Sequence, residues 1–321
     1  MRKAVGYPVP KYNDPNDRRM IQIIKASGEA RPRSVNILGV PFDGAVLGRR
    51  GAAEGPQAVR EAMAAFSNYN VELDLGLDGA RVYDLGDLVL GNDDVEKAHA
   101  LVESEVVGDL TTDSLLVVLG GDNSISLPAL RACSKKFGSL GLIVVDSHLD
   151  LRGKLGGKPT SGSSYGLALD ELGNLDPRRV VELGVHGFLN SKAYFEKAQR
   201  KGITLIPAGD IVRKGPEASA KEAYGIASKG ADAVYLSVDL DAVDLSYVSG
   251  VSAPSAGGIS AEQLFRIVYE IAGQEKVKGA DIVELAPSLD SSGRSQRVAA
   301  TALMYLIGGF ASRARKRTRR S

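Results

Sequence analysis

Short apolar segments recur along the chain and alternate with longer segments of mixed polarity. Several are continuous rather than alternating, such as LLVVL and LGLIVV, which is typical of strands that are buried on both faces of a parallel sheet. The pattern predicts about eight strands, at residues 34–40, 81–85, 114–119, 140–145, 180–185, 203–207, 233–238 and 280–285.

The segments between these strands carry apolar residues at helical spacing. They predict helices at residues 54–66, 93–107, 125–137, 191–201, 217–229 and 260–272. Pro56, Ser191 and Ser260 stand where helix starts are expected. Strands that alternate with helices indicate βαβ units and an α/β fold with one mostly parallel sheet. The chain has no internal repeat and no long linker, so we expect a single domain over residues 1–321.

Composition narrows the class of protein. The 321 residues are 44% hydrophobic, carry a net charge of +1 and include one cysteine, Cys133. This balance indicates neither a nucleic-acid partner nor a membrane partner. The N-terminus lacks the apolar stretch of a signal peptide, and no apolar run reaches about 18 residues. We therefore expect a cytoplasmic protein. The basic run at 313–321 is the only charge block and predicts a solvated tail or a subunit contact.

Two clusters of acidic residues directly follow predicted strands. Asp146, His148 and Asp150 stand at alternate positions after LGLIVV, and Asp239 and Asp241 do so after AVYLS. Alternate residues of an extended strand point to one face. Buried carboxylates are costly unless they are paired or bind metal. Oxygen ligands with one imidazole favour Mn²⁺. The alternative is that these acids are solvated or cap helices.

Five motifs in order resemble those of the ureohydrolases, the family of arginase, agmatinase and formimidoylglutamase. Residues 40–60 resemble the Arg-Gly…Gly-Pro…Arg segment of that family, and GGDNS at 120–124 resembles GGDHS. DSHLD at 146–150 resembles DAHxD, and SVDLDAVD at 237–244 resembles SxDxDxxD. ELAPSLD at 284–290 resembles the E-x-N-P-x-x-D segment.

This resemblance implies a three-layer α/β/α fold, a pair of Mn²⁺ ions and a homo-oligomer, commonly a trimer or hexamer. Asp146 and Asp239 would bridge the ions, His148 and Asp241 would complete one site, and Asp150 would serve the other. A hydroxide between the ions would attack the carbon of a linear amidine. Asp150 would pass a proton to the leaving nitrogen, and Glu284 would pair with the amidinium.

One departure concerns the metal ligands. Asn123 stands where the family motif has a histidine ligand, and an amide oxygen is the weaker ligand. We therefore expect one Mn²⁺ site to be weak. The remaining histidines, His99 and His186, are expected to be structural. A pseudoenzyme that kept the fold and lost its metals is the rival hypothesis.

Three local segments favour the formimidoylglutamase branch, with agmatinase or another guanidino hydrolase as the alternative. They are HLDLR at 148–152, TSGSSYG at 160–166 and GVSAP at 250–254. Hydrolysis of N-formimidoyl-L-glutamate releases glutamate and formamide. We expect Arg152 to bind a substrate carboxylate unless it faces solvent, and Ser161, Ser163 and Tyr165 to contact the substrate.

Overall fold

A central sheet of ten strands runs through the described part of the chain, residues 1–9, 14–91 and 94–318 of a computed structural model. A two-stranded hairpin lies beside it. All eight predicted strands are present. The strands are β1 (Arg2–Lys3), β2 (Ile24–Ala26), β3 (Val35–Gly39), β4 (Tyr69–Asn70), β5 (Leu75–Gly76), β6 (Val82–Leu88), β7 (Leu115–Leu119), β8 (Leu140–Val145), β9 (Leu175–Leu183), β10 (Thr204–Ile206), β11 (Ala233–Asp239) and β12 (Val277–Val283).

The sheet order is β1-β6-β3-β7-β12-β11-β8-β9-β10, with β2 also paired to β6. Every pair in this sheet is parallel except that of β1 with β6. β7, β12, β11 and β8 are therefore neighbours at its centre, although they are distant in sequence. Their carboxyl ends meet at one edge, which is where open α/β sheets bind ligands.

Helices cover both faces of the sheet, which confirms the three-layer α/β/α fold. One apolar cluster includes Ile211, Leu264 and Leu303, and the other includes Val102, Leu130 and Ala168. No helix among the described residues is long and apolar enough to span a bilayer. The helices are α1 (Gly55–Met63), α2 (Val95–Asp109), α3 (Ser126–Lys136), α4 (Ser164–Glu171), α5 (Lys192–Lys201), α6 (Ala208–Lys214), α7 (Pro216–Ala227), α8 (Ala261–Ala272) and α9 (Arg294–Thr318).

Local sequence explains several helix boundaries. The Ser191 hydroxyl accepts from the Tyr194 N–H at the start of α5, and Ser260 forms a capping box with Gln263 at the start of α8. Gly202 ends α5 in the left-handed conformation at φ +80°. All six predicted helices are present, whereas α4, α6 and α9 were not predicted.

The long helix α9 corrects the expectation of a basic tail. It extends through the first six residues of the 313–321 run, and the last three residues of that run lie outside the described chain. The Arg313 side chain is buried and donates to the carbonyl oxygens of Ala272 and Val277. Part of the basic run therefore belongs to the packed body of the molecule.

A buried arginine joins α1 to the sheet. Arg60 is completely buried and donates to both carboxylate oxygens of Asp84, at 2.8 and 3.0 Å, and to Asp87 at 2.6 Å. Tyr7 donates to the same Asp84 carboxylate. This network fixes the segment after β1 and the last turn of α1 against β6.

Candidate metal centre and substrate pocket

Polar side chains from four central strands meet at the carboxyl edge of the sheet. Asp146 follows β8, Asp239 ends β11, and Glu284 follows β12. Asn123 follows β7 after the glycine pair at 120–121, where a β-carbon on Gly121 would lie 1.6 Å from the Phe42 carbonyl oxygen. Only glycine therefore fits at this close approach of two backbones, which places Asn123 beside the acids.

Three of the predicted metal ligands converge closely. One ligating atom from each of Asp146, His148 and Asp241 lies within 4.8 Å of the others. His148 Nδ1 is 3.0 Å from Asp241 Oδ2 and 3.5 Å from Asp146 Oδ1. Asp239 lies in the same group, since its Oδ1 accepts from the Asp241 N–H at 2.9 Å.

The other two acids occupy an uncommon backbone conformation. Asp150 has φ +45° and Glu284 has φ +69°, the left-handed region that favours glycine. Glu284 Oε1 accepts from the Asn123 N–H at 2.7 Å, while its Oε2 is buried without a hydrogen-bond partner among the described residues. Strain of this kind is often found at functional sites.

The carboxylates of this cluster are buried close together, so each opposes ionisation of its neighbours. Burial, followed by repulsion from neighbouring carboxylates, raises the pKa of Asp146 and of Asp239 well above the ordinary value. Burial also raises the pKa of Asp150 to about 7 and that of Glu284 to about 8. Burial opposes ionisation of Asp241 as well, but hydrogen bonds from His148 and Ser147 lower its pKa. A cluster of this kind is stabilised by cations.

The donor set fits a pair of Mn²⁺ ions. It supplies carboxylate oxygens, one imidazole nitrogen and an amide group, which suit a hard to borderline divalent cation. The buried Glu284 oxygen without a partner and the mutual repulsion of the acids both indicate that a positive charge belongs here.

A cleft of about 140 Å³ opens above these residues. Ser161 and the exposed Arg152 line it, together with Leu47, Gly48, Ser252 and Ala253. Arg152 stacks its guanidinium over the Tyr194 ring at 5.3 Å and is the only Lys or Arg among the described residues that line the cleft. A cleft of this size suits a small substrate.

Two residues predicted to contact substrate lie elsewhere. The Ser163 hydroxyl is fully buried, and among the described residues it bonds the Thr160 backbone alone, accepting from its N–H and donating to its carbonyl oxygen at 2.8 Å each. Tyr165 is also fully buried, and its hydroxyl contacts Asn123 and Ser237 behind the metal centre. Ser163 is the N-cap residue of α4, and Tyr165 lies in the first turn of that helix.

The remaining histidines lie in structural environments. His99 is buried on α2, and its Nε2 lies 3.0 Å from the Ser124 hydroxyl. His186 lies between the Gly184 carbonyl oxygen and the Ser255 hydroxyl, at 2.8 Å from each.

Sequence reasoning missed Asn190, which holds the DSHLD segment. Its Oδ1 accepts from the Leu149 N–H, and its Nδ2 donates to the Ser147 carbonyl oxygen, both at 2.9 Å. Asn190 stands just before a helix start, where an asparagine is ordinary, so the sequence offered no signal of this contact.

The fold and the acidic cleft together define an α/β protein with a site for divalent cations. The family model described as the arginase family matches residues 33–308. The chain therefore belongs to the arginase family, and it is a hydrolase that acts on C–N bonds.

Relatives and solved structures agree with this membership. A formimidoylglutamase of Halobacterium salinarum is 34% identical over 94% of this chain and 96% of its own. The crystal structure of formimidoylglutamase from Bacillus subtilis has a TM-score of 0.88 at 29% identity, covering 96% of this chain and 95% of that one. The crystal structure of Trypanosoma cruzi formiminoglutamase with Mn²⁺ has a TM-score of 0.84 at 31% identity, covering 92% and 99%.

Proposed function

We propose that this chain hydrolyses N-formimidoyl-L-glutamate to L-glutamate and formamide with the help of two Mn²⁺ ions. The observation that carries this proposal is the position of Arg152 at the cleft that also holds the acid cluster. The substrate combines an amidine with two carboxylates, so it needs a cation beyond the metal centre. The guanidinium group binds carboxylate through two parallel hydrogen bonds.

The three segments that favoured this substrate all reach the cleft. HLDLR contributes His148, Asp150 and Arg152, TSGSSYG contributes Ser161, and GVSAP contributes Ser252 and Ala253. Arg49 fixes the last segment by donating to the Val251 carbonyl oxygen at 2.6 Å. Agmatine has no carboxylate, and Arg152 would repel its amine. The arrangement therefore supports the dicarboxylate substrate over agmatine.

In this proposal the ions would be held by the acids, imidazole and amide that meet at the cleft, namely Asp146, His148, Asp239, Asp241, Asp150 and Asn123. Ions held there would lower the pKa of water and so supply a nucleophile near neutral pH. Glu284 and Arg152 both line the cleft; Glu284 would pair with the amidinium, and Arg152 would orient the glutamate portion.

The reaction then requires one proton transfer by the protein. Water adds to the formimidoyl carbon, the bond from that carbon to the glutamate nitrogen breaks, and the nitrogen takes up a proton. Asp150 lines the cleft, and we assign this proton transfer to its carboxylate. The products are glutamate, with a free amine, and formamide.

We also propose that the chain forms one domain and works in the cytoplasm as a homo-oligomer without nucleic-acid or membrane partners. The single buried cysteine and the near-neutral net charge support the compartment and the lack of such partners, and the continuous central sheet supports one domain. The homo-oligomer is proposed from membership of the family.

A side-by-side assay tests the substrate and the metal together. Purified protein with Mn²⁺ should release formamide from N-formimidoylglutamate faster than it releases urea from agmatine or arginine. Asp239→Ala should be inactive and should retain less Mn²⁺ after dialysis. Faster urea release from agmatine would overturn the substrate but not the reaction class. Equal Mn²⁺ retention by the wild type and Asp239→Ala at background level would instead support the pseudoenzyme.

A further inference from the structure

Both the nitrogen and the oxygen of the Asn123 side-chain amide make hydrogen bonds. Its Nδ2 donates to Asp150 Oδ2 at 2.5 Å and lies 3.5 Å from Asp146 Oδ2. Its Oδ1 accepts from the Ser126 hydroxyl at 3.0 Å and from the Tyr165 hydroxyl at 3.1 Å. The side chain is 1% exposed, so these four neighbours account for its polar environment.

The backbone of Asn123 is fixed independently of the amide. Its N–H donates to Glu284 Oε1, and its carbonyl oxygen accepts from the Ser164 hydroxyl, both at 2.7 Å. With the backbone fixed, the movement available to Asn123 is rotation of its terminal amide. This rotation exchanges the positions of Oδ1 and Nδ2 within nearly the same volume.

A buried chain of hydroxyl groups leads away from the amide. Tyr165 Oη is 2.9 Å and Ser126 Oγ 3.3 Å from the Ser237 hydroxyl. Ser237 in turn donates to Asp281 Oδ1 at 2.6 Å. Asp281 also accepts from Tyr235 at 2.9 Å, which makes it the terminal acceptor of the network.

We propose that Tyr165 and Ser126 are positioning residues whose hydroxyl groups satisfy the Asn123 amide in either orientation, and so allow Oδ1 to face a bound cation. This inference rests on the Mn²⁺ centre of the proposed function.

The proton count balances in both orientations. With Nδ2 toward the carboxylates, both hydroxyls donate to Oδ1. With Oδ1 toward the cation, the two N–H groups of Nδ2 donate to the Tyr165 and Ser126 oxygens. Those two hydroxyl protons then turn to Ser237, which still donates to Asp281. A hydroxyl group can reverse its role in this way because it both donates and accepts.

Removal of one hydroxyl would leave a buried N–H without an acceptor when Oδ1 faces the ion. Tyr165→Phe keeps the ring and its packing and removes only that oxygen. We expect Mn²⁺ to bind about 5- to 30-fold more weakly at one of the two sites. The cation-facing orientation loses more, because one N–H has no acceptor there, whereas in the other orientation Oδ1 keeps the Ser126 hydroxyl as a donor.

Tyr235→Phe is the matched control. Tyr235 is also buried, and its hydroxyl bonds Asp281, the carboxylate at the end of the network, rather than the Asn123 amide. Both variants should show similar thermal unfolding. Calorimetric titration with Mn²⁺ should show weakened binding for Tyr165→Phe and wild-type binding for Tyr235→Phe. In an Asn123→Ala background, Tyr165→Phe should have no further effect, because the coupling runs through the amide.

The possible results distinguish failure of the positioning role from failure of the proposed Mn²⁺ centre. Absence of Mn²⁺ binding by the wild type would overturn the metalloenzyme proposal and this inference with it. Normal wild-type binding with no change in Tyr165→Phe, or an equal change in both tyrosine variants, would overturn the positioning role alone.

Discussion

The buried histidine on α2 predicts a measurable dependence of stability on pH. His99 is 2% exposed, its Nδ1 has no hydrogen-bond partner among the described residues, and it packs edge-on against Phe42. Burial, followed by the charge of Arg131, lowers its pKa from 6.5 to about 3. The folded protein therefore keeps His99 neutral at pH values where the unfolded chain takes up a proton.

The sign and size of the effect follow from this shift. The stability due to neutral His99 is fully present above pH 6.5 and is lost as pH falls toward 3, because only the unfolded state binds the proton in that range. The loss amounts to about 1.4 kcal/mol at pH 5.5 and to ~4 kcal/mol at pH 3.

The test compares the wild type with His99→Gln by urea unfolding at pH 7.5 and pH 5.5 in the same buffers. Glutamine can still bond Ser124 but does not titrate. Titrations that both proteins share cancel in the comparison. Between the two pH values, the wild type should lose about 1.4 kcal/mol more free energy of unfolding than the variant. An equal loss in both proteins would refute the argument that His99 is neutral in the folded state.

Three further changes test the cleft, the core and the loop before Asn123. Arg152→Ala should raise KM for N-formimidoylglutamate about 10- to 100-fold with little change in kcat. Lys154 is exposed and lies outside the cleft, so Lys154→Ala should leave KM unchanged. Equal KM values for Arg152→Ala and the wild type would show that Arg152 does not bind the substrate. Arg60→Ala should lower the free energy of unfolding by about 3–5 kcal/mol in denaturant titration, because Asp84 and Asp87 lose the buried cation that pairs with both. A loss below about 1 kcal/mol would contradict this. Gly121→Ala should abolish Mn²⁺ retention, whereas Gly153→Ala, where a β-carbon meets open space, should retain it.

The layers of the fold and the position of the acids could be predicted from the sequence. The runs LLVVL and LGLIVV became the central strands β7 and β8, and Asp146 and Asp239 followed neighbouring strands as expected. Continuous apolar strands leave few alternatives to a covered parallel sheet. Such a sheet brings the residues after its strands to one edge.

Contacts that depend on tertiary packing could not be predicted. Helix α9 contains Gly308 and Gly309, a pair that suggests an interruption. The structure explains the pair, because a β-carbon on Gly309 would lie 2.4 Å from the Tyr269 carbonyl oxygen. These glycines allow α8 and α9 to approach closely. The rotation of α4 that buries Tyr165 likewise depends on neighbours that are distant in sequence.

The left-handed backbone at Asp150 and Glu284 has a consequence for the selection of thermostable variants. Glycine adopts this conformation without steric cost, whereas residues with a β-carbon lose about 1 kcal/mol or more there. Glycine at either position would also remove a buried carboxylate that is repelled by its neighbours. Selection for heat resistance alone should therefore enrich glycine at these two positions and discard activity with each substitution. The same argument makes Asp150→Asn and Glu284→Gln better probes of charge than alanine, because they preserve side-chain size at a backbone that is already strained.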